Sequence, residues 1–237
     1  MADATVAEEE YLQTIFWLQE AGLPMTGANV ARAMQLSAPT VHEMVGRLER
    51  DGYITRGPDK SISFTPEGAE HAEAIVRRHR LIERFLTDVL KIPWDDVHEE
   101  AERLEHAMSP VLEAKMLAAI GDAKTCPHGH PIPGQADTRI EGVPLGDVEL
   151  GAKVTVLRFE NEAEDLLHLF KREGFEPGRE GTVSDVDDEH ISVDFGDQTG
   201  TLTRSVAETV SVLADPSPPP RIALPEQLVI GTERYGR

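Results

Sequence analysis

The chain is 237 residues long, 40% hydrophobic and 28% charged, with a formal net charge of −20. That length accommodates one large or two to three small domains, each with its own core, and the charge argues against general affinity for polyanions, because nonspecific nucleic-acid binding rests on lysine and arginine neutralising phosphate. No run approaches the ~18 apolar residues of a membrane span, the start MADATVAEEE has neither basic nor apolar leader character, and the lone Cys126 excludes an internal disulfide framework, so the expectation is a cytoplasmic protein with no membrane partner.

Residues 5–21 carry Tyr11, Leu12, Ile15, Phe16 and Leu18 at helical spacing, and Gly22 ends that helix. Thr26 caps a short second helix through Met34, and Ser37 caps a third, SAPTVHEMVGRLERDG, which Gly52 terminates. The short link QLS makes these two a helix-turn-helix, whose second helix presents its N-terminal residues to a DNA major groove. YITR, GPDK and SISF then read as a hairpin, which turns the unit into a winged helix-turn-helix. Within residues 37–66 four acids (Glu43, Glu49, Asp51, Asp59) balance four bases (Arg47, Arg50, Arg56, Lys60), so the DNA-facing surface is locally neutral. Ser37, Thr40 and Arg47 are placed to reach phosphate or base edges, and Arg56 and Lys60 on the wing to reach backbone; the competing reading is ordinary solvent-facing polarity.

Thr65-Pro66 opens a helix that runs to about Leu90, Pro93 starts the next, and Ser109-Pro110 starts another that Gly121 closes. The stretch from His79 to His106 places His79 and Glu83 one above the other at i, i+4. His98, Glu102, Glu105 and His106 fall within roughly a 100° arc of an ideal helix. Neutral imidazole and carboxylate oxygen are ligands that manganese, iron and zinc share, so the pattern suits a divalent transition metal; a solvated acidic face with incidental histidines is the plainer alternative. Leu81, Ile82, Phe85, Leu86, Val89, Leu104, Met108 and Leu112 offer more apolar surface than one small helical domain needs, and a homodimer interface is its natural use.

TCPHGHPIPG follows, with Cys126, His128 and His130 as a candidate ligand cluster in a proline-rigid loop, a buried apolar cysteine being the plainer alternative; it is no zinc finger, because there is no second cysteine. QADTRIEGVPLGDVELG reads as an interdomain linker. AKVTVLRF, a short acidic helix over 162–173, and the close-spaced strands GTVSDVDD, HISVDFGD and TLTRSVAETVSVLA indicate a small all-β barrel. The expected division is a winged helix-turn-helix over 1–73, a helical dimerisation and metal-binding domain over 74–140, a linker over 141–151, an SH3-like barrel over 152–214 and a proline-rich tail over 215–237. The fold class is thus mainly α with a β wing, plus a small all-β domain.

This order of motifs, SAPTVHEMVGRLERDG, then HRLIERFL, then the E-x-x-EH at 102–106, then HPIPG, resembles the diphtheria toxin repressor family of iron- and manganese-dependent transcriptional regulators, over residues 5 to about 214. The resemblance implies a homodimer that binds double-stranded operator DNA once metal is bound. It implies a regulatory metal site at Glu10, Glu102, Glu105 and His106. It also implies a second site at His79, Glu83 and His98, with contributions from the loop at Cys126 or His128 and from an acid in the barrel's helix, where Asp165 is the first choice and Glu162 and Glu164 stand close behind. Ser37, Pro39 and Thr40 match positions that approach the operator. Iron-sensing members carry glutamine at position 43, where this chain has Glu43, methionine in place of Glu10 and cysteine in place of Glu102. Carboxylates at both metal positions match manganese-sensing members, and three carboxylates with one imidazole form a hard, oxygen-rich set. The expected cofactor is Mn2+, with Fe2+ as the physiological rival and Zn2+, Co2+ or Cd2+ able to substitute in vitro.

The function so implied is a metal-activated repressor of metal-homeostasis genes, without enzymatic activity or a small organic substrate. Two other classes compete with it. A metal-dependent hydrolase would use His/Glu clusters to activate water, and a metal-storing interaction protein without DNA binding would suit the net charge of −20.

Overall fold

The computed structural model describes residues 4–135 and 140–218. Helix α1 (Val6–Glu20) starts at a capping box, in which Thr5 and Glu8 satisfy each other's backbone groups. Helices α2 (Gly27–Ala33) and α3 (Ala38–Arg50) are capped by Thr26 and Ser37, each side chain accepting from the backbone N–H three residues on. Strands β1 (Ile54–Arg56) and β2 (Ile62–Phe64) pair antiparallel, with Ile54 opposite Phe64, and form the expected wing. Tyr11, Leu12, Ile15, Leu18, Val45, Leu48 and Ile54 bury together in one cluster, so the period-3.6 stripe of α1 is what the recognition helix and wing rest on.

The chain then enters α4 (Pro66–Asp88), with Thr65 capping and Pro66 at the first position. A Cβ at Gly68 would lie 1.7 Å from the Tyr53 carbonyl oxygen, so only glycine lets α4 lie this close to the wing. A 3-10 turn (Trp94–Asp96) leads to α5 (His98–Glu105) and α6 (Pro110–Ile120), both of which pack on α4. Leu81, Ile82, Leu86, Val97, Ala101, Met108 and Ile132 form the second core. Leu104 (43% exposed), Val111 (73%) and Leu112 (45%) stay outside it, an apolar surface carried by α5 and α6.

The third core belongs to a six-stranded antiparallel sheet in the order β3 (Val143–Pro144), β8 (Val210–Asp215), β4 (Lys153–Phe159), β5 (Glu180–Val186), β6 (His190–Asp194), β7 (Thr199–Thr203). Helix α7 (Glu164–Arg172) follows β4, and the short α8 (Arg204–Ala207) precedes β8. The expected linker over 141–151 needs correcting. Val143 pairs with Val212, and Leu145 and Val148 are buried in the sheet's core, because the Gly/Pro punctuation here marks tight ordered turns and not a spacer. Of the expected proline-rich tail, the part beyond residue 218 lies outside the described residues.

The sheet domain docks on the helical one around aromatic rings. Trp94 stacks on Phe159 at 5.6 Å between centroids, and Phe159 on Phe170 at 4.4 Å. Asp95 pairs with Lys171, and Asp96 accepts from His168 at 2.8 Å. The loop at 125–131 sits in this junction: Phe159 N–H donates to the His128 carbonyl, and a Cβ on Gly129 would lie 2.0 Å from the Leu157 carbonyl oxygen.

Candidate metal centres

One face of α4 builds a buried cluster. His79 and Glu83, one turn apart and 1% and 0% exposed, put Nε2 and Oε1 at 3.0 Å. His98, at the start of α5, brings its Nδ1 to 3.2 Å from Glu83 Oε1 and 2.9 Å from Glu162 Oε2. His128 Nδ1 lies 3.1 Å from Glu83 Oε1, and buried Cys126 completes a Glu83/Cys126/His128 group. Donor atoms of His79, Glu83, His98 and Glu162 all lie within 4.8 Å of one another, as do those of Glu83, Cys126 and His128. Four segments meet here because arginines spaced along α4 grip loop carbonyls: Arg77 on Pro133, Arg80 on Pro131, and Arg84 on Thr125 and Cys126.

Second contacts orient the rings. His128 Nε2 lies 2.8 Å from the Trp94 carbonyl and His130 Nε2 2.8 Å from the Phe159 carbonyl. A carbonyl only accepts, so both Nε2 atoms carry hydrogen and a neutral ring keeps its lone pair on Nδ1. Both of those Nδ1 atoms, with Glu83 Oε2 and His98 Nε2, are buried without a hydrogen bond. Buried unsatisfied donors and acceptors are costly and rare, and here they come from three imidazoles and a carboxylate, with the Cys126 thiol beside them. That donor set fits a divalent transition metal.

The electrostatics agree. Burial works against charge on His98, yet hydrogen bonds to Glu162 and Glu83 outweigh it and push its pKa up to about 9. Burial likewise opposes charge on His79 and His128, and the neighbouring carboxylates carry both well above the ordinary histidine value. Glu83 and Glu162 are desolvated too, but the surrounding imidazoles hold both well below the usual carboxylate range. Burial raises the Cys126 thiol. The cluster therefore holds compensated charge, with protons on imidazoles in the place a cation would take.

The second region is a cleft of about 390 Å³ between α1 and α5, lined by Glu10, Gln13, Glu102, Glu105 and His106. The four residues expected to form the regulatory site thus share one cleft, yet they form no group within 4.8 Å; among the described residues the remaining such group is Asp95, Asp96 and His168. Glu105 is buried and connects the two regions: its Oε2 lies 2.6 Å from His79 Nδ1 and accepts from Gln13 Nε2 at 3.2 Å, while Oε1 is 3.4 Å from His106 Nε2. His98 Nε2 is 3.6 Å from Glu102 Oε1.

Among the expected site residues Asp165 is a correction. It is exposed on the first turn of α7 and accepts from the Leu166 N–H next to it, whereas Glu162, three residues earlier and 14% exposed, reaches His98, His128 and His130. Which acid points inward depends on how the sheet domain docks, and helical spacing carries no signal of that. His130, part of the loop's candidate ligand cluster, and Glu9, which the sequence did not single out, also reach these sites. The alternation Cys126, His128, His130 signalled the first, while nothing in the run Glu8-Glu9-Glu10 separates the second from its neighbours.

On the DNA-binding module, Ser37, Pro39, Thr40, Glu43, Arg47, Arg56 and Lys60 are all exposed. Ser37 caps α3, and its hydroxyl lies 2.7 Å from that of Thr40. Arg47 is held by Glu8 at 2.9 Å and Asp51 at 3.6 Å, Arg56 pairs with Glu49, and Lys60 occupies a left-handed position (φ 66°) in the wing turn.

Residues 3–62 match the family model described as the iron dependent repressor N-terminal DNA binding domain, and residues 65–134 match the iron dependent repressor metal binding and dimerisation domain. The diphtheria toxin repressor of Corynebacterium diphtheriae is 32% identical over 225 residues, which cover 90% of this chain and 99% of that protein. The homologue of Corynebacterium jeikeium is 40% identical over 67% of this chain, and the chain spans about two thirds (66%) of its length. A solved structure titled manganese-dependent transcriptional repressor complex with manganese superposes with a TM-score of 0.78 at 31% identity, covering 87% of this chain and 99% of that one. The match to named repressors thus runs over nearly the full length, through the winged helix-turn-helix, the helical domain and the appended antiparallel sheet, and the chain belongs to the iron-dependent repressor family that includes the diphtheria toxin repressor.

Proposed function

We propose that the protein is a divalent-metal-dependent repressor that binds operator DNA as a homodimer and responds to manganese through the cleft between α1 and α5. One observation carries this reading: Glu10 on the DNA-binding module and Glu102, Glu105 and His106 on the helical domain line a single cleft. Three carboxylates and one imidazole make an oxygen-rich set suited to Mn2+ over softer cations, although affinity in vitro follows the Irving–Williams order. A divalent cation bound there supplies the positive charge that lets these carboxylates share a small volume. Glu10 is the element that moves with α1, while Glu102, Glu105 and His106 stay with α5. Glu8, two residues earlier, is tied to Arg47 of α3, so the position of the first turn of α1 is passed directly to the recognition helix. In a dimer built on the exposed face of α5 and α6, that position sets the spacing of two recognition helices against half-sites roughly 34–36 Å apart.

The buried cluster has a different composition. With three imidazoles, a thiol and two carboxylates it is the softer centre, and its protein partners are already assembled. We assign it a supporting role, with Cys126, His128 and Glu162 joining His79, Glu83 and His98. No observation favours hydrolysis over this reading, and family membership places the chain among repressors.

A mobility-shift titration on the protein's own promoter region, at fixed salt with and without Mn2+, tests the proposal. Metal should strengthen DNA binding 5–150-fold, the usual range of coupling between two sites, and Glu10→Ala should abolish that response with the dimer intact. A Glu10→Ala protein that responds fully to manganese would overturn the assignment of the cleft.

A further inference from the structure

Near its start α1 reads Glu8-Glu9-Glu10, and the three carboxylates go to three places. Glu8 closes the capping box and holds Arg47. Glu10 lines the cleft. Glu9 crosses to the other side: its Oε2 lies 2.7 Å from His106 Nδ1, and its Oε1 lies 3.8 Å from an Arg78 guanidinium nitrogen on α4. Both partners are largely covered, Glu9 at 18% and His106 at 15% side-chain exposure.

A carboxylate accepts and does not donate, so the contact requires hydrogen on Nδ1. The neutral ring then keeps its lone pair on Nε2, which lies 3.4 Å from Glu105 Oε1, a cleft carboxylate. A histidine free in water favours the opposite tautomer, with hydrogen on Nε2, and that form presents an N–H to the cleft where a ligand atom is needed. We propose that Glu9 is a positioning residue of the cleft: it holds His106 as the Nδ1–H tautomer with Nε2 presented to the cleft, and Arg78 keeps Glu9 in place. The consequence for metal affinity rests on the function proposed above, whereas the consequence for the tautomer does not. The arrangement follows the general rule that a ligating imidazole donates its other N–H to a carboxylate or carbonyl, and that removing this partner weakens metal binding by about 10–100-fold.

The test is 15N NMR of the metal-free full chain at the high-pH plateau of the imidazole signals, with the His106 resonances identified by their loss in His106→Ala, joined to a Mn2+ titration followed by EPR. In the wild type the His106 pattern should be that of Nδ1–H. Glu9→Ala should shift it to Nε2–H and weaken manganese binding at the cleft by about 10–100-fold. Glu9→Gln, whose amide oxygen still accepts, should keep the wild-type tautomer and lose less affinity. An unchanged tautomer in Glu9→Ala overturns the proposal. So does a complete loss of binding in both variants equal to that of Glu10→Ala, since Glu9 would then be a ligand itself. If the wild type binds no manganese at the cleft, the proposed function fails while the tautomer measurement still decides the role of Glu9.

Discussion

The buried cluster and the cleft share α5 and are joined through the contact between His79 and Glu105, yet folding treats them in opposite ways. In the cluster, four segments bring imidazoles, carboxylates and a thiol into contact distance away from water, and each charge has an opposite partner within about a hydrogen bond. In the cleft, carboxylates from two modules line a solvent-sized volume without converging. Like charges in a shared site repel and resist ionising together, so folding alone cannot draw Glu10 onto Glu102 and Glu105. The difference separates two uses of the same side-chain types. A centre whose charges compensate within one buried group contributes to the architecture, whereas residues of two modules that share a cleft without converging leave its geometry open to change.

That contrast is open to a direct challenge through stability. Glu83→Ala leaves His79, His98 and His128 without their common partner, and breaking a buried charge pair by removing one member costs about 3–5 kcal/mol. Urea unfolding of the metal-free protein should show a loss of that size, whereas Glu10→Ala should stay within about 0.5–1 kcal/mol. Equal losses would erase the distinction between the two regions.

A smaller effect should come from metal itself. A ligand that binds only the folded chain, at a hundred times its dissociation constant, adds about 2.7 kcal/mol. In Glu10→Ala the buried cluster is intact, so a stabilisation of this order on adding Zn2+ should survive while metal-dependent operator binding disappears. Cys126→Ser should show the reverse emphasis, with thermal stabilisation by Zn2+ reduced and the manganese response of operator binding largely kept. Loss of both properties in both variants would mean the centres act as one.

The smallest effect concerns how the sheet domain is tied on. His168 is raised above its ordinary value, first by its hydrogen bond to Asp96 and further by the charge of Asp95, while Lys171 and Glu164 also face this junction. A raised histidine contributes stability that is fully present below its unfolded value of 6.5 and is lost as pH rises through the higher folded value. His168 is 44% exposed, so solvent screening confines the contribution to a few tenths of a kcal/mol. Protection factors across β4 and α7, which are exchange rates corrected for the intrinsic base-catalysed rise, should fall slightly between about pH 6 and 8 in the wild type and not in His168→Gln.

Local chemistry was legible wherever one residue decides a boundary. Thr26, Ser37 and Thr65 start their helices through capping hydroxyls, and the turn between Arg56 and Ile62 closes the wing as expected. The i, i+4 pair His79/Glu83 and the group at 98–106 likewise marked residues that the fold gathers into the buried cluster and the cleft. What helical spacing could not provide was the choice among neighbours that docking makes. Glu162 stands where Asp165 was expected because the segment just before α7 is the part pressed against His128. Glu9 binds His106 because α1 crosses α5 with that side of its first turn inward. The segment 143–148 joins the sheet core although its glycines and prolines read as a spacer.

The buried cluster also carries information about the order in which the chain is made. Its donors appear in sequence as His79 and Glu83, His98, Cys126 and His128, and last Glu162, which is delivered only once β4 has been laid down beside the loop at Gly129. Domains generally fold as units during synthesis, N-terminal first, so the DNA-binding module can be complete while this cluster still lacks its final acid. A chain that ends early, or is clipped before Glu162, leaves three buried imidazoles short of a counter-charge. The cluster is in this sense a checksum on the finished polypeptide, read out as the stability of the helices that line the cleft.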